Sequence, residues 1–406
     1  MSTTADSLST DWVDLLRESK GPLIEGLRYK TVFLGETRRD KSPRRWNGKQ
    51  VTIPIITAPQ QGTSMISEAG VLTDPQVLDT EQANITAAII ELAISFSRQA
   101  IQQAKADDTS WAQVVPTKMR MAEDVLGRTI NEQALGLGTA LLAAVNASTA
   151  ASGAATQAID VGTTANFYQL YVGRYVSVLV TASGLATAAG SDEVKISAYS
   201  ESAGTITVNG SFATTTADGV YIHKSYGNAL QGVGQAVATT GTFQGINKAN
   251  VRVWQGTDVT PSSTTDPGMS ILAKAERKAR QYSGSTPDYY ICDPAVLDKY
   301  EQGLHAQARW AGDKLKLSSG FVGIEYRGKV LIDDFDMPAA TIYGIARDDV
   351  TIYTLDDGPD WIDDTGSIMQ RFGRKLVTEA WLVWMLDFGF ARCNSFVKIG
   401  SLSTAD

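Results

Sequence analysis

The stretch Trp46-Asn47-Gly48-Lys49-Gln50-Val51-Thr52-Ile53-Pro54-Ile55-Ile56 opens as a β-rich run, and Asn84 to Phe96 closes as a second one. Between them lies a soft, polar middle of about 25 residues, with Pro59, Gln60, Gln61, Gly62, Met65, Gly70 and Pro75, which reads as the bend of a long two-stranded arm. An isolated two-stranded ribbon is marginal in water. This one also carries Ile53, Ile55, Ile56, Ile89, Ile90 and Leu92, more apolar side chains than a free ribbon leaves in solvent. The expectation is that a second copy of the chain covers the arm.

Outward from the arm, the 406 residues suffice for two or three domains, and 43% hydrophobic with 20% charged residues is ordinary globular composition. Residues 1–45 read as an N-terminal segment with one short helix, Leu8 to Lys20, that includes Trp12. Ser97 to Lys105 reads as a short helix. Thr117 to about Ala150 reads as a long helix, because Leu126, Ile130, Ala134, Leu137, Leu141 and Val145 recur at three- and four-residue steps. From Ala154 to Gly245 the chain turns rich in Thr, Ser, Ala and Gly. Runs such as Tyr175–Val180, Val194–Tyr199, Thr205–Val208 and Val220–His223, set apart by Asn209-Gly210 and Asp218-Gly219, predict an inserted antiparallel β module. A mixed α/β unit follows over 246–375. It has helices at Met269–Tyr282 and from Ala295, and strands at Tyr289–Cys292, Gly323–Tyr326, Val330–Ile332, Ala340–Tyr343 and Val350–Tyr353. The end, 376–406, reads as a β pair.

The chemistry of most enzyme classes is missing. Only two histidines occur, His223 and His305, about 80 positions apart, so a histidine metal site or a Ser-His-Asp triad has little to build on. No Gly-x-Ser-x-Gly elbow and no Walker loop occur. Gly232-Val233-Gly234 imitates part of a dinucleotide fingerprint without its strand. The acidic run near Asp356 fails the calcium-loop pattern. No catalytic, cofactor-binding or metal-ligating residue is therefore assigned. A hydrolase or lyase using Asp333, Asp334 and Asp336 needs a pocket and partners the sequence does not display. Cys292 and Cys393 read as small buried hydrophobes. No apolar run reaches the ~20 residues of a membrane span.

Charge is unevenly placed within a net −8. Arg28 to Lys49 is basic, with Arg38, Arg39, Arg44, Arg45 and Lys49, whereas Asp348 to Asp364 is acidic, with Asp356, Asp357, Asp360 and Asp363 and no base. Complementary docking between neighbouring copies is one consequence of such a pattern.

The order of parts carries a resemblance. Gly48-Lys49-Gln50-Val51-Thr52-Ile53-Pro54 resembles the rising strand of the E-loop, and Ala93-Ile94-Ser95-Phe96-Ser97-Arg98-Gln99-Ala100 its return. Met121 to Val145 resembles a spine helix. Pro287 to Ala295 and Asp333-Asp334-Phe335-Asp336-Met337-Pro338 resemble core segments of the tailed-phage major capsid protein of the Hong Kong 97-type fold. The resemblance implies an α+β chain with an N-arm (1–45), an E-loop hairpin (46–96), a P-domain with spine helix (97–153), an A-domain (246–375, with P-domain contributions) and a C-terminal β return (376–406). The β module at 154–245 is then an insertion.

The resemblance further implies hexamers and pentamers in an icosahedral shell around double-stranded DNA, held by non-specific contact. A portal is implied, and a decoration protein is compatible with it. Inter-subunit contact candidates are Trp12, Arg38, Arg39, Arg44, Arg45, Trp46, Lys49, Ile53, Ile55, Met65, Asp356, Asp357, Asp360 and Asp363. Some relatives crosslink an E-loop lysine to a neighbour, but no lysine occurs between Gln50 and Ala104, so a non-covalent shell is expected. Only about 45 residues precede the loop, which makes a separate scaffolding protein the expectation. An encapsulin-type nanocompartment, the same fold around a protein cargo, is the alternative.

Overall fold

The computed structural model describes residues 31–40, 46–47, 50–59, 62–68, 70–72, 74, 77–98, 108–187, 191–306, 314–316, 322–355, 358–363, 368, 370–371 and 376–404. The helices expected at Leu8–Lys20 and over most of Ser97–Lys105 lie outside these residues, as do Trp12, Arg44, Arg45, Lys49, Asp356 and Asp357.

Three sheets carry most of the described chain. The first is built on one long strand, Val377–Phe390. Ala88–Ser97 runs antiparallel along one edge, from Val377 opposite Ser97 to Leu386 opposite Ala88. Val350–Thr354, Asp360–Trp361 and Gln370–Arg371 take turns along the other edge. Arg38–Asp40 adds a parallel outer strand beside Val350–Thr354. Alternation along the long strand sends Ala380, Leu382, Trp384, Leu386, Phe388 and Phe390 into the main core, as period-two side-chain geometry requires.

The second sheet has seven strands. Its spatial order is Thr257–Asp258, Val397–Ile399, Ile342–Ile345, Tyr289–Cys292, Lys329–Asp333, Val322–Tyr326 and Lys314–Lys316. Tyr289 and Ile291 face the main core, while Tyr290 and Cys292 face a second core beneath two helices, Met269–Ser283 and Pro294–Ala306. A strand buried on both faces reads as the unbroken apolar run the sequence displays there. The helix Met269–Ser283 buries Ile271, Leu272, Ala275 and Ala279 on one stripe and stops at Gly284 in the left-handed conformation. Its buried Glu276 is paired by Lys329 at 2.8 Å and Arg327 at 3.3 Å. The expected C-terminal β pair is corrected here. Val377–Phe390 and Val397–Ile399 belong to different sheets, because the chain turns a corner at Ala391–Asn394 that Arg392 fixes with two bonds to Asp349.

The third sheet is the β module, in the order Leu141–Ala144, Asp218–Ile222, Tyr175–Val180, Val194–Ser200, Thr205–Asn209, Thr156–Asp160. It closes over its own core of Ile159, Val176, Val178, Ile196, Ile206, Val208 and Val220. Asp218-Gly219, read as a turn, instead begins a strand. Asp218 is buried and accepts bonds from the backbone and hydroxyl of Thr215.

The spine helix runs Asp108–Leu135, which corrects the expected Thr117–Ala150. Its buried stripe holds Ala122, Leu126, Ile130 and Ala134. The apolar series continues past Leu135, but Gly136-Leu137-Gly138 breaks the helix, with Gly138 at φ +68°. Leu141 and Val145 then serve the β module, since residues four apart also share a strand face. Gly232-Val233-Gly234 packs directly on this helix end. A Cβ on Gly234 would stand 2.5 Å from the carbonyl oxygen of Gly136, which is backbone and cannot yield cheaply. The glycines that imitate a nucleotide fingerprint thus serve backbone-to-backbone packing. Gly234→Ala is expected to cost about 1–3 kcal/mol by overpacking, measured by denaturant unfolding; an unchanged midpoint would count against the contact.

Candidate assembly surface

The arm is present, with a different return strand from the one the sequence suggested. Gln50–Ala58 pairs antiparallel with Asp79–Thr86, Val51 opposite Ile85 and Pro54 opposite Gln82. The partner was not legible because Asp79-Thr80-Glu81-Gln82 is polar and has poor strand propensity. Pro54 is tolerated because the flanking strand Trp46–Asn47 reaches only to Gln50 and Val51, which leaves that edge open. Ala88–Ser97 then leaves the arm and joins the main sheet.

The base of the arm is held by its own chain. Val51, Ile85 and Tyr353 form a small buried cluster with Trp46 and Ile53 against it, and Trp46 Nε1 donates to the carbonyl of Thr354 at 3.3 Å. Ile55, 7% exposed, joins the main core with Ala83, Ile94 and Phe96. Ile90 and Leu92 are partly buried against that core. Cover in cis thus accounts for most of the apolar residues that marked the arm in the sequence; Ile56 and Ile89 remain exposed.

Beyond the base the picture reverses. Met65 is fully exposed, and Val71, Leu72 and Val77 are 90%, 80% and 85% exposed. Glu68, Asp74, Asp79 and Glu81 are exposed along the same stretch, so the tip presents apolar side chains within an acidic frame. Several large apolar side chains left exposed in one loop mark a candidate interaction site. The tip residues other than Met65 escaped the sequence reading because Val71, Leu72 and Val77 sit among turn-forming residues with no periodicity. Of the remaining candidates, Arg38 and Arg39 lie in the outer strand beside Val350–Thr354, and Asp360 and Asp363 are exposed.

A polar seam joins the spine helix, the β module and the segment Asp333–Pro338. Arg174 of the module makes a two-pronged bond to Glu132 of the helix, at 2.8 and 2.9 Å, and donates to the carbonyl of Gln169 at 2.6 Å. Asn131 donates to both Asp334 and Asp336. Asn166 of the module donates to the carbonyls of Phe335 and Met337. Burial, and next the charge of Asp334, push the Asp336 carboxyl up to about 7. A cleft of about 490 Å³ opens beside this seam, lined in part by Glu132, Asn166, Asp336 and Met337. Among the described residues no group of three or more His, Cys, Asp or Glu side chains is placed to hold a metal, and no helix is long and apolar enough to cross a membrane. Cys292 and Cys393 are buried free thiols, as the sequence suggested.

This arrangement of reaching hairpin, spine helix, long-strand sheet and helix-backed mixed sheet is the Hong Kong 97-type capsid fold, α+β in class. Among solved structures the chain is similar to a chain of the cyanophage A-1(L) capsid asymmetric unit, with 14% identity over 94% of this chain and 95% of that one and a TM-score of 0.57. It is also similar to the encapsulin of the holo complex from Synechococcus elongatus PCC 7942, with 8% identity over 99% and 98% of the two chains and a TM-score of 0.51. No family model matches the sequence, and no curated protein matches it.

Proposed function

We propose that the chain is a major capsid protein of a tailed phage, self-assembling as hexamers and pentamers into an icosahedral shell around double-stranded DNA. The observation that carries this reading is the arm, anchored at its base within one subunit and ending in uncovered apolar residues. A surface of that kind on a head-to-tail interface generates closed rings. Many modest contacts, repeated around a shell, then hold by multivalency. On this reading the hairpin Gln50–Thr86 forms the arm and the next subunit covers its tip. The portal, a separate scaffolding protein and any decoration protein are partners of the assembled particle, which is also the chain's location. Its role is structural and non-catalytic.

Negative-stain microscopy of the purified chain tests the reading: closed shells are expected, and a monomer at all concentrations would end it. The encapsulin reading rests on the second fold match. It predicts shells that co-purify with an enzyme carrying a targeting tail, where the capsid reading predicts particles that take up DNA.

The basic run Arg38 to Lys49 is proposed to seat against the acidic stretch at Asp356, Asp357, Asp360 and Asp363 of a neighbour. Arg45→Glu is then expected to lower assembly yield several-fold at low salt, with the difference shrinking at high salt as the charges are screened. Equal yields for both chains across the salt range would remove this pairing.

A further inference from the structure

The segment Asp333–Pro338 bonds to the Asn131 side chain of the spine helix, and to the β module through its carbonyls. Asn131 is fully buried, and its Nδ2 gives hydrogen bonds to Asp336 Oδ2 at 2.9 Å and to Asp334 at 3.2 Å. Asp334 has further donors in the N–H of Asp336 at 3.0 Å and of Val32. Asp336 is different. Its Oδ1 is buried with no hydrogen-bond partner among the described residues, and so is the Oδ1 of Asn131. Two buried oxygens left without donors, on groups already joined by one hydrogen bond, make an expensive arrangement for an ionised carboxylate. It is the arrangement left over when the proton of an acid–amide pair is missing. A proton on Asp336 Oδ1, donated to Asn131 Oδ1, satisfies both orphans at once.

We propose that Asp336 is a protonated acid in the native subunit, and that its acid–amide pair with Asn131 is a pH-sensitive latch seating the β module on the spine helix. The charged groups facing Asp336 all bear on the outcome. Asp334 of its own segment and Glu132 of the helix oppose its ionisation, and Arg128 of the helix favours it. Arg174 of the module also faces it but is committed to Glu132. Loss of the proton therefore adds a third carboxylate charge to a buried seam in which Arg174 is already bonded to Glu132. The backbone of this segment receives the module's bonds, from Gln169 to the carbonyl of Asp336 and from Asn166 to those of Phe335 and Met337. The seat of the module should loosen as the latch opens. Because the folded-state carboxyl titrates above that of the unfolded chain, the native state binds the extra proton between the two values, and stability falls as pH rises through that window.

The test is amide hydrogen exchange of the full chain, corrected for intrinsic rates, at pH 5.5 and pH 8.5. In the wild type, protection over residues 166–175 and 333–338 is expected to fall about tenfold at the higher pH. Asp336→Asn places an uncharged amide at the same position, and its protection is expected to be the same at both pH values. Wild-type protection that does not change with pH, or an equal fall in both chains, overturns the latch. If Asp336→Asn does not fold, Asn131→Leu serves in its place: it removes the pairing partner, and retention of the full wild-type pH response would overturn the proposal. Protection restored at pH 8.5 by calcium would also overturn it, in favour of a bridging cation.

Discussion

The double substitution Leu72→Asp with Val77→Asp is expected to abolish shells while leaving the subunit folded. Both side chains are more than three-quarters exposed, so their replacement should change subunit stability by no more than about 0.5 kcal/mol. In an assembly where the arm tip is covered, each contributes about 1.5–3 kcal/mol of burial. Losing both weakens each contact by roughly 100- to 10,000-fold. Every copy makes the contact, so the loss repeats around the particle. Sedimentation of the purified variant should show subunits or small oligomers, with an unfolding midpoint like that of the wild type. Shells at wild-type yield would mean that the tip is not the adhesive surface.

Arg174→Leu is expected to be the most damaging single change to the subunit. The guanidinium and the Glu132 carboxylate are both nearly inaccessible and meet through two short bonds. Removing one partner leaves a buried charge without compensation, which costs about 3–5 kcal/mol. A second change, Glu132→Leu, should recover much of that loss, because an apolar pair of similar volume carries no desolvation penalty. Denaturant unfolding of unassembled subunits measures both. A single-variant loss below about 1 kcal/mol would mean that the seam tolerates an isolated charge. The two predictions separate cleanly, since the first alters assembly without stability and the second alters stability whether or not shells form.

How much of this was legible beforehand differs from element to element. The strand Tyr289–Cys292 and the helix Met269–Ser283 were readable, because an unbroken apolar run between turn signals and a stripe closed by glycine are local patterns. The spine helix was found but overrun, because residues four apart share a face in a helix and in a strand alike; only the break at Gly136-Leu137-Gly138 distinguishes them. Most of the strands of the β module were readable from their β-branched residues. Thr156–Asp160 was missed, and Leu141–Ala144 was absorbed into the helix.

Pattern and composition alone determined that helices and strands are mixed along the chain, and that a hairpin rich in apolar residues begins near Trp46; the α+β class followed from the order of those parts. The first two properties depend on neighbours within a few positions. The tertiary structure decided which apolar groups stay uncovered, moving that role from Ile53 and Ile55 to Val71, Leu72 and Val77. It also brought Asn131 to Asp336 across 205 positions. Burial and long-range pairing depend on what the rest of the chain folds against, and no local window of sequence contains that information.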